Sequence, residues 1–435
     1  AIGDHGVVVA RNPIAAREGL AVLRRGGNAV DAAVTTAFSL GVLDPMSSGI
    51  GGGGMLVVHE AATGRTTVVD YAMDAPLAAR PGVFELDDGR GSSAYGWRKV
   101  KEEANVVGHR AVSVPGAVAG LAAALERFGT ISLGAALEPA IRHAVDGIEV
   151  QPTLAYGIAM TMPILRRLPA TAAIFLPDGA PPRDHDAGAA DRLVQRDLGA
   201  SLRRIGEEGP EVFYRGEIGE RIVAHLQAHG GLLAMEDLAR YQPTITEGGQ
   251  TTTYRGHEIV GVPGACGAIT GQEALAILDG LDLGASGADS VEALHLEAEA
   301  FRLAFADRYA YVGDPKQTAT PWRGLLSTAY AAARRAEIDP ARAANAVRPG
   351  DPWAYDDAAR PGPARPGRVA PLGGSTTHLC VIDQDRNVVT LTETIVNSFG
   401  CGVVPPGTGV VLNNAMSWFD PEPGWGNSLA PGKRG

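Results

Sequence analysis

Ser375-Thr376-Thr377-His378 is the stretch whose residue types best suit covalent chemistry. An internal threonine hydroxyl is a poor nucleophile unless a base takes its proton. A break in the chain just before Thr376 would supply that base. The freed α-amine has a reference pKa of about 7.7–8.0 and is partly neutral near pH 7. The neighbourhood suits such a step. Residues 348 to 374, RPGDPWAYDDAARPGPARPGRVAPLGG, are rich in Pro and Gly, lack periodicity and read as a linker. A severed end in a linker can move aside, while a strand starting at Thr376 would hold the hydroxyl still. Threonine pairs also open strands through β-propensity alone. The residues by themselves leave both readings open.

Other candidate groups point away from cofactor chemistry. Gly49, Gly51 and Gly54 satisfy G-x-G-x-x-G. A dinucleotide loop must open a helix whose N-terminus meets the pyrophosphate. Here the glycines lead into MLVVHE, a strand pattern, so a crowded turn is the better reading. His295 and Glu299 stand four apart on a helix, a spacing two metal ligands can use, but no second such pair accompanies them. A solvated or capped helix face is expected there. His59 and Glu60 are strand neighbours and point to opposite faces. Cys266, Cys380 and Cys401 are odd in number and widely spaced, which argues against a disulfide framework or a zinc knot. Buried thiols acting as small apolar groups are expected.

The surrounding pattern says what would position Thr376. Ala15 to Leu23 is apolar-periodic and stops at Gly26-Gly27, a helix end. Asn28 opens AVDAAVTTAFSLGVL, which is so uniformly apolar and small that it must be buried against a sheet. Asp44-Pro45 ends it. MLVVHE and RTTVVDYAM around the turn ATGR predict a hairpin. Residues 77–106 look irregular. Helices are expected near 116–127, 134–146, 190–206, 215–229, 270–279 and 289–309, the last opened by Asp289 or Ser290. HEIVGVP near 257 and GVVL near 409 read as strands. TTHLCVID and NVVTLTETIV form a second hairpin that emerges from the linker.

The chain has 435 residues, of which 45% are apolar and 20% charged, and a net charge of −11. A large layered α/β unit fits that length. An acidic surface repels phosphate backbones, so nucleic acid is not an expected partner. No segment has the apolar length of a membrane span. The opening AIGDHGVVVARNP lacks the order of a signal peptide, which points to the cytoplasm. The chain opens with Ala rather than Met, so a removed leader stays open.

Five blocks in order resemble the gamma-glutamyltranspeptidase family: residues 23–58, LRRGGNAVDAAVTTAFSLGVLDPMSSGIGGGGMLVV; 110–130, RAVSVPGAVAGLAAALERFGT; 297–315, EAEAFRLAFADRYAYVGDP; 375–389, STTHLCVIDQDRNVV; and 399–416, FGCGVVPPGTGVVLNNAM. The resemblance implies an α/β fold, a four-layer αββα sandwich of the N-terminal nucleophile hydrolase type. It implies a precursor that cuts itself between Ser375 and Thr376. Residues 1–375, with the linker, would form the large-subunit part, and 376–435 the start of the small-subunit part. The two would stay associated, and a homo-oligomer is compatible with this. No cofactor or metal is implied. The substrate would be a small-molecule amide, whose acyl group passes through an acyl-enzyme to water or an amine. Family members are often periplasmic or secreted.

By the same resemblance, Thr376 matches the nucleophile and Thr394 the second threonine that orients it. Asn413 and Asn414 match a paired asparagine segment. Several substrate-binding positions depart from the family. Ala72 stands where an Arg grips the substrate carboxylate. Trp418 stands where an acidic residue holds the amino group. Ala415 replaces a polar residue, and Val396 replaces an Asn, with Asn397 beside it. An Arg–carboxylate pair is among the strongest contacts available, so the glutamate clamp reads as lost while the nucleophile reads as kept. The sequence stops at Gly432-Lys433-Arg434-Gly435, before the family's Ser pair and oxyanion-hole Gly pair, so the remainder of the small-subunit part is expected to be missing. The expected activity is an autoprocessing amidohydrolase or acyltransferase on a non-glutamyl substrate. The alternatives are a glutamyl enzyme with a rearranged clamp, for which Arg110 is a candidate, a homologue that cleaves an activated C–C bond, and a non-catalytic homologue.

Overall fold

The computed structural model describes residues 3–91, 97–184, 189–284, 287, 289–358, 360 and 374–435. Much of the expected linker, residues 359 and 361–373, lies outside the described residues. The elements that frame Thr376 are β1 (Val7–Ala10), α1 (Pro13–Arg24), α2 (Ala29–Leu43), β2 (Gly53–Glu60), β3 (Arg65–Tyr71) and α3 (Ala117–Phe128). They continue with α4 (Leu133–Asp146), α5 (Pro152–Leu165), α6 (Arg196–Glu208), α7 (Glu217–Ala228) and β4 (Thr244–Glu247). Next come α8 (Ala268–Leu278), α9 (Val291–Tyr311), α10 (Thr328–Arg335), β5 (Ser375–Ile382) and β6 (Val388–Val396).

Six strands form one antiparallel sheet in the order β1-β5-β6-β2-β3-β4. Side chains alternate across it. Leu379, Val381, Val389 and Leu391 are buried in the core that α2 completes. Thr376 and His378, one residue out of step with them, are exposed on the opposite face.

α2 can lie flat on β5 and β6 because its residues are small and every one but Gly41 is buried. Its start is well capped. The Asn28 side chain accepts from the N–H groups of Val30 and Asp31 at 2.9 and 3.0 Å, and Asp31 returns a bond to Asn28 N at 2.9 Å. That is a capping box.

The glycine run before β2 serves close backbone approach. A Cβ on Gly52 would sit 2.2 Å from the Thr394 carbonyl oxygen, and one on Gly54 would sit 2.2 Å from that of Thr392. The Gly52 carbonyl also accepts from Gly116 N and Ala117 N at 2.7 and 3.0 Å, at the start of α3. The run leads into a strand and is the crowded turn expected from the sequence.

The described residues also form three two-stranded ribbons, among them Gln250–Tyr254 with His257–Gly261 and Leu86–Arg90 with Arg98–Val100. The second ribbon falls in a stretch expected to be irregular. The helices and both hairpins stand near their expected positions, although α6 starts at Arg196 rather than near 190. The strand expected at GVVL does not form. Its pairing is confined to Leu412: Leu412 N donates to Val403 O at 3.0 Å, and the Leu412 carbonyl accepts from Cys401 N at 3.1 Å. Val410 to Leu412 are buried all the same. No helix among the described residues is long and apolar enough to cross a membrane.

Candidate active site

Thr376 and Thr394 face each other across the β5–β6 pair. The Thr376 hydroxyl donates to Thr394 Oγ1 at 3.1 Å. Thr394 Oγ1 donates to the Ser375 carbonyl at 2.8 Å and accepts from Val396 N at 2.8 Å. A hydroxyl has one proton and two acceptor sites. These three bonds use all of them and fix their direction. Thr376 must be the donor of its pair, because the Thr394 proton is already committed. One oxygen thus touches both the candidate nucleophile and the carbonyl of the Ser375–Thr376 peptide bond.

The backbone here is irregular. The ladder shifts register between Ser375 and Thr376, which sets Ser375 opposite Val396 and Thr376 opposite Thr394. Val396 takes a φ of +83°. A β-branched residue in that region is strained by about 1–3 kcal/mol. Ser375 is steadied from the other side. Its hydroxyl lies 3.0 Å from Ser47 Oγ, which accepts from Arg11 at 2.9 Å. Arg11 in turn pairs with Asp44 at 3.4 Å. Ser47 sits in a block the sequence marked, but nothing there assigned it a partner 328 residues away.

A cleft of about 430 Å³ opens beside Thr376 and Thr394. Met55 and Val57 of β2 line it together with Ala72, Trp418 and the loop through Ala265 and Cys266. Among the described residues its one charged lining residue, Arg308, is occupied. Arg308 donates to the carbonyls of Ala265, at 3.0 Å, and of Cys266. A smaller adjoining cleft of about 130 Å³ includes Asp70, Asp314, Lys316 and Arg434. Arg434 is tied to Asp74 at 2.7 Å and to Asp70 at 3.6 Å.

The residues expected to bind substrate divide into two groups. Ala72 and Trp418 line the main cleft with the two threonines. Val396 and Ala415 lie behind them, buried with Met73 in a small apolar cluster on which Trp418 packs. The sequence reading missed Met73. The Trp418 backbone is anchored, since its carbonyl accepts from Trp97 Nε1 at 3.1 Å and Asn427 Nδ2 at 2.8 Å. Asn397 does not line the cleft, and its backbone N–H donates to Asn414 Oδ1 at 3.0 Å. Asn413 joins Ser113 to Gly51 by bonds of 2.8 to 3.1 Å. Arg110 is also absent from the cleft lining. It donates to the Val83 carbonyl at 2.5 Å and lies over the Phe84 ring.

Glu393, next to Thr394, points the other way, under the sheet, and is 2% exposed. Burial pushes its carboxyl up to about 8, and the Tyr71 hydroxyl works against that rise. The folded state therefore holds a proton that the unfolded chain releases from about 4.5 upward. This contribution to stability is complete below about 4.5 and is lost as pH rises toward about 8. Glu393→Gln should remove a slope of up to about 1.4 kcal/mol per pH unit across that window. Urea unfolding at pH 5, 6, 7 and 8 measures it, and parallel curves for the two proteins would contradict it.

The other sequence candidates are structural. The His295 ring donates to the Asp339 carbonyl at 2.8 Å. Glu299 is 4% exposed and pairs with Arg302, so it is a buried partner rather than part of a solvated face. All three cysteines are free. Cys401 is buried, whereas Cys266 and Cys380 are only half-buried, which departs from the expectation for them.

Comparisons with known proteins agree with this architecture. A family model described as gamma-glutamyltranspeptidase matches residues 15–435. An acylase ACY 1 proenzyme from Pseudomonas sp. is 40% identical over 436 residues, which cover 100% of this chain and 73% of that protein. A glutathione hydrolase proenzyme from Bacillus subtilis is 36% identical over 438 residues, covering 100% and 71%. The crystal structure of a cephalosporin acylase from Bacillus halodurans matches with a TM-score of 0.83 at 31% identity, over 100% of this chain and 74% of that one. Sequence, site geometry and fold converge: the chain belongs to the gamma-glutamyltranspeptidase family, enzymes with the α/β sandwich fold of the N-terminal nucleophile hydrolases.

Proposed function

We propose that this protein cuts its own Ser375–Thr376 bond and then acts as an amidohydrolase or acyltransferase on a small amide whose acyl group is not glutamyl. In the first step the Thr376 oxygen attacks the Ser375 carbonyl carbon. The C–N bond breaks, an ester forms, and the hydroxyl proton ends on the freed α-amine. Water then hydrolyses the ester. Thr394 is placed to draw the Thr376 proton and to donate to the oxygen on which charge develops. In turnover the Thr376 amine takes the hydroxyl proton and later returns it to the leaving amine. Residues 1–375 and 376–435 would become parts of two subunits. The name proenzyme, carried by the relatives above, supports a precursor of this kind.

The observation that carries the substrate reading is the apolar cluster Met73, Val396 and Ala415 with Trp418, beside Ala72. A γ-glutamyl group brings an ammonium and a carboxylate, and each loses about 1.5–3 kcal/mol when a charged hydrogen bond is missing. The nearby Arg308 and Arg434 already have partners. Relatives named acylase and relatives named glutathione hydrolase both match, so the assay must separate the two. Processed protein should hydrolyse uncharged or monoanionic acyl amides at least about tenfold faster, in kcat/KM, than a γ-glutamyl anilide. Robust glutamyl release would overturn the substrate reading and leave the processing step standing.

A further inference from the structure

We propose that His109, His225 and His229 form a binding site for one late first-row divalent cation of the Zn2+ class, separate from the amide chemistry. His225 lies in the last turn of α7 and His229 just beyond its end, four residues later. His109 comes from the short 3-10 turn His109–Ala111. Each residue offers a ligand atom within 4.8 Å of the other two. His109 Nε2 and His225 Nε2 are 3.3 Å apart. Two imidazole nitrogens on one tetrahedral Zn2+, each at about 2.0–2.1 Å, stand roughly 3.3–3.4 Å from each other.

A second observation concerns His229. Its Nδ1 lies 2.8 Å from the His225 carbonyl oxygen, which can only accept, so Nδ1 carries the proton. This leaves the Nε2 lone pair free. A ring nitrogen anchored to a backbone carbonyl is the usual way a ligating imidazole is held in the right tautomer. The His109 and His225 ring centroids are 5.1 Å apart, whereas His109 and His229 stack at 4.4 Å with 11° between their planes, so one ring of that pair must turn for both lone pairs to meet one ion. Three neutral imidazoles suit Zn2+, Ni2+ or Cu2+ better than Mg2+ or Ca2+. The fourth position would be left to water.

Such an ion would join α7 to the segment that runs from His109 to Ser113, and Ser113 is bonded to Asn413. Its effect would be structural. The test uses the full-length protein stripped with a chelator, titrated calorimetrically with ZnCl2 and, in parallel, with CoCl2 read by visible absorption. The expected result is one saturable equivalent and a Tm that rises with added Zn2+. His225→Gln and the exposed His229→Gln should each weaken binding by roughly tenfold or more, while His295→Gln leaves it unchanged. The unliganded Tm of each variant shows that it still folds. No saturable binding in the wild type, or binding that survives both substitutions, would overturn the proposal.

Discussion

Thr376→Ala should yield a single uncut band on denaturing electrophoresis where the wild type gives two fragments, and amide turnover should fall by roughly 10⁴-fold or more. One oxygen is responsible for both losses. In the reaction proposed above it is the atom that attacks the Ser375 carbonyl in the precursor. It would also be the nucleophile of the mature protein, and without cleavage its α-amine would not be released. The substitution should fold, because Thr376 is exposed and leaves little void. Thr376→Ser keeps the hydroxyl and should process slowly. A wild type that stays uncut would favour a non-catalytic homologue. An alanine variant that still cuts would remove Thr376 from the mechanism.

Asp307→Ala should cost about 3–5 kcal/mol of stability, the usual loss when one member of a buried ion pair is removed. Asp307 is 0% exposed, and its partner Arg334 is 2% exposed at 3.1 Å. The carboxylate also accepts from Tyr330 OH and Gly350 N, both at 2.7 Å. Beside it, burial and the Asp307 charge hold Glu273 well above the ordinary carboxyl range. Removal of Asp307 leaves the buried guanidinium with the more exposed Glu337, at 2.7 Å, as its remaining charged partner, and leaves two donors unmet. The damage should reach the cleft, because the next residue, Arg308, holds the Ala265 and Cys266 carbonyls on its wall. Urea unfolding gives the cost. Adding Arg334→Met to Asp307→Ala should recover a large part of it. A single variant as stable as the wild type would refute this account.

How much the sequence revealed depended on how local each determinant was. α2 was legible because Asn28 caps it and nearly all its residues are small and apolar. The β5–β6 hairpin was legible because two β-branched runs flank a short turn. β1 was not, since four residues make it a strand only by pairing Val7–Ala10 with Leu379–Ile382, far along the chain. GVVL had strand composition, yet it pairs with Cys401–Val403 only through Leu412, too briefly to make a strand. At the site, Thr376, Thr394, Ala72 and Trp418 were each marked by motif position, and the fold brings them to one cleft. Met73 and Glu393 were assigned no role, and Ser47 lay in a marked block without an assigned partner. Their significance lies in burial and in partners across the sheet, which spacing does not encode.

The strand order has a mechanical consequence for a cut chain. The hairpin β5–β6 follows the Ser375–Thr376 bond, while its flanking strands β1 and β2 precede it. Severing that bond therefore leaves the later piece wedged between two pieces of the earlier one. Four register pairs lock one flank and seven the other. The halves are interleaved like clasped fingers, and pulling them apart would mean unzipping the middle of the sheet. The covalent link would be dispensable for cohesion once folding is complete, and a break at the Ser375–Thr376 bond need not loosen the molecule.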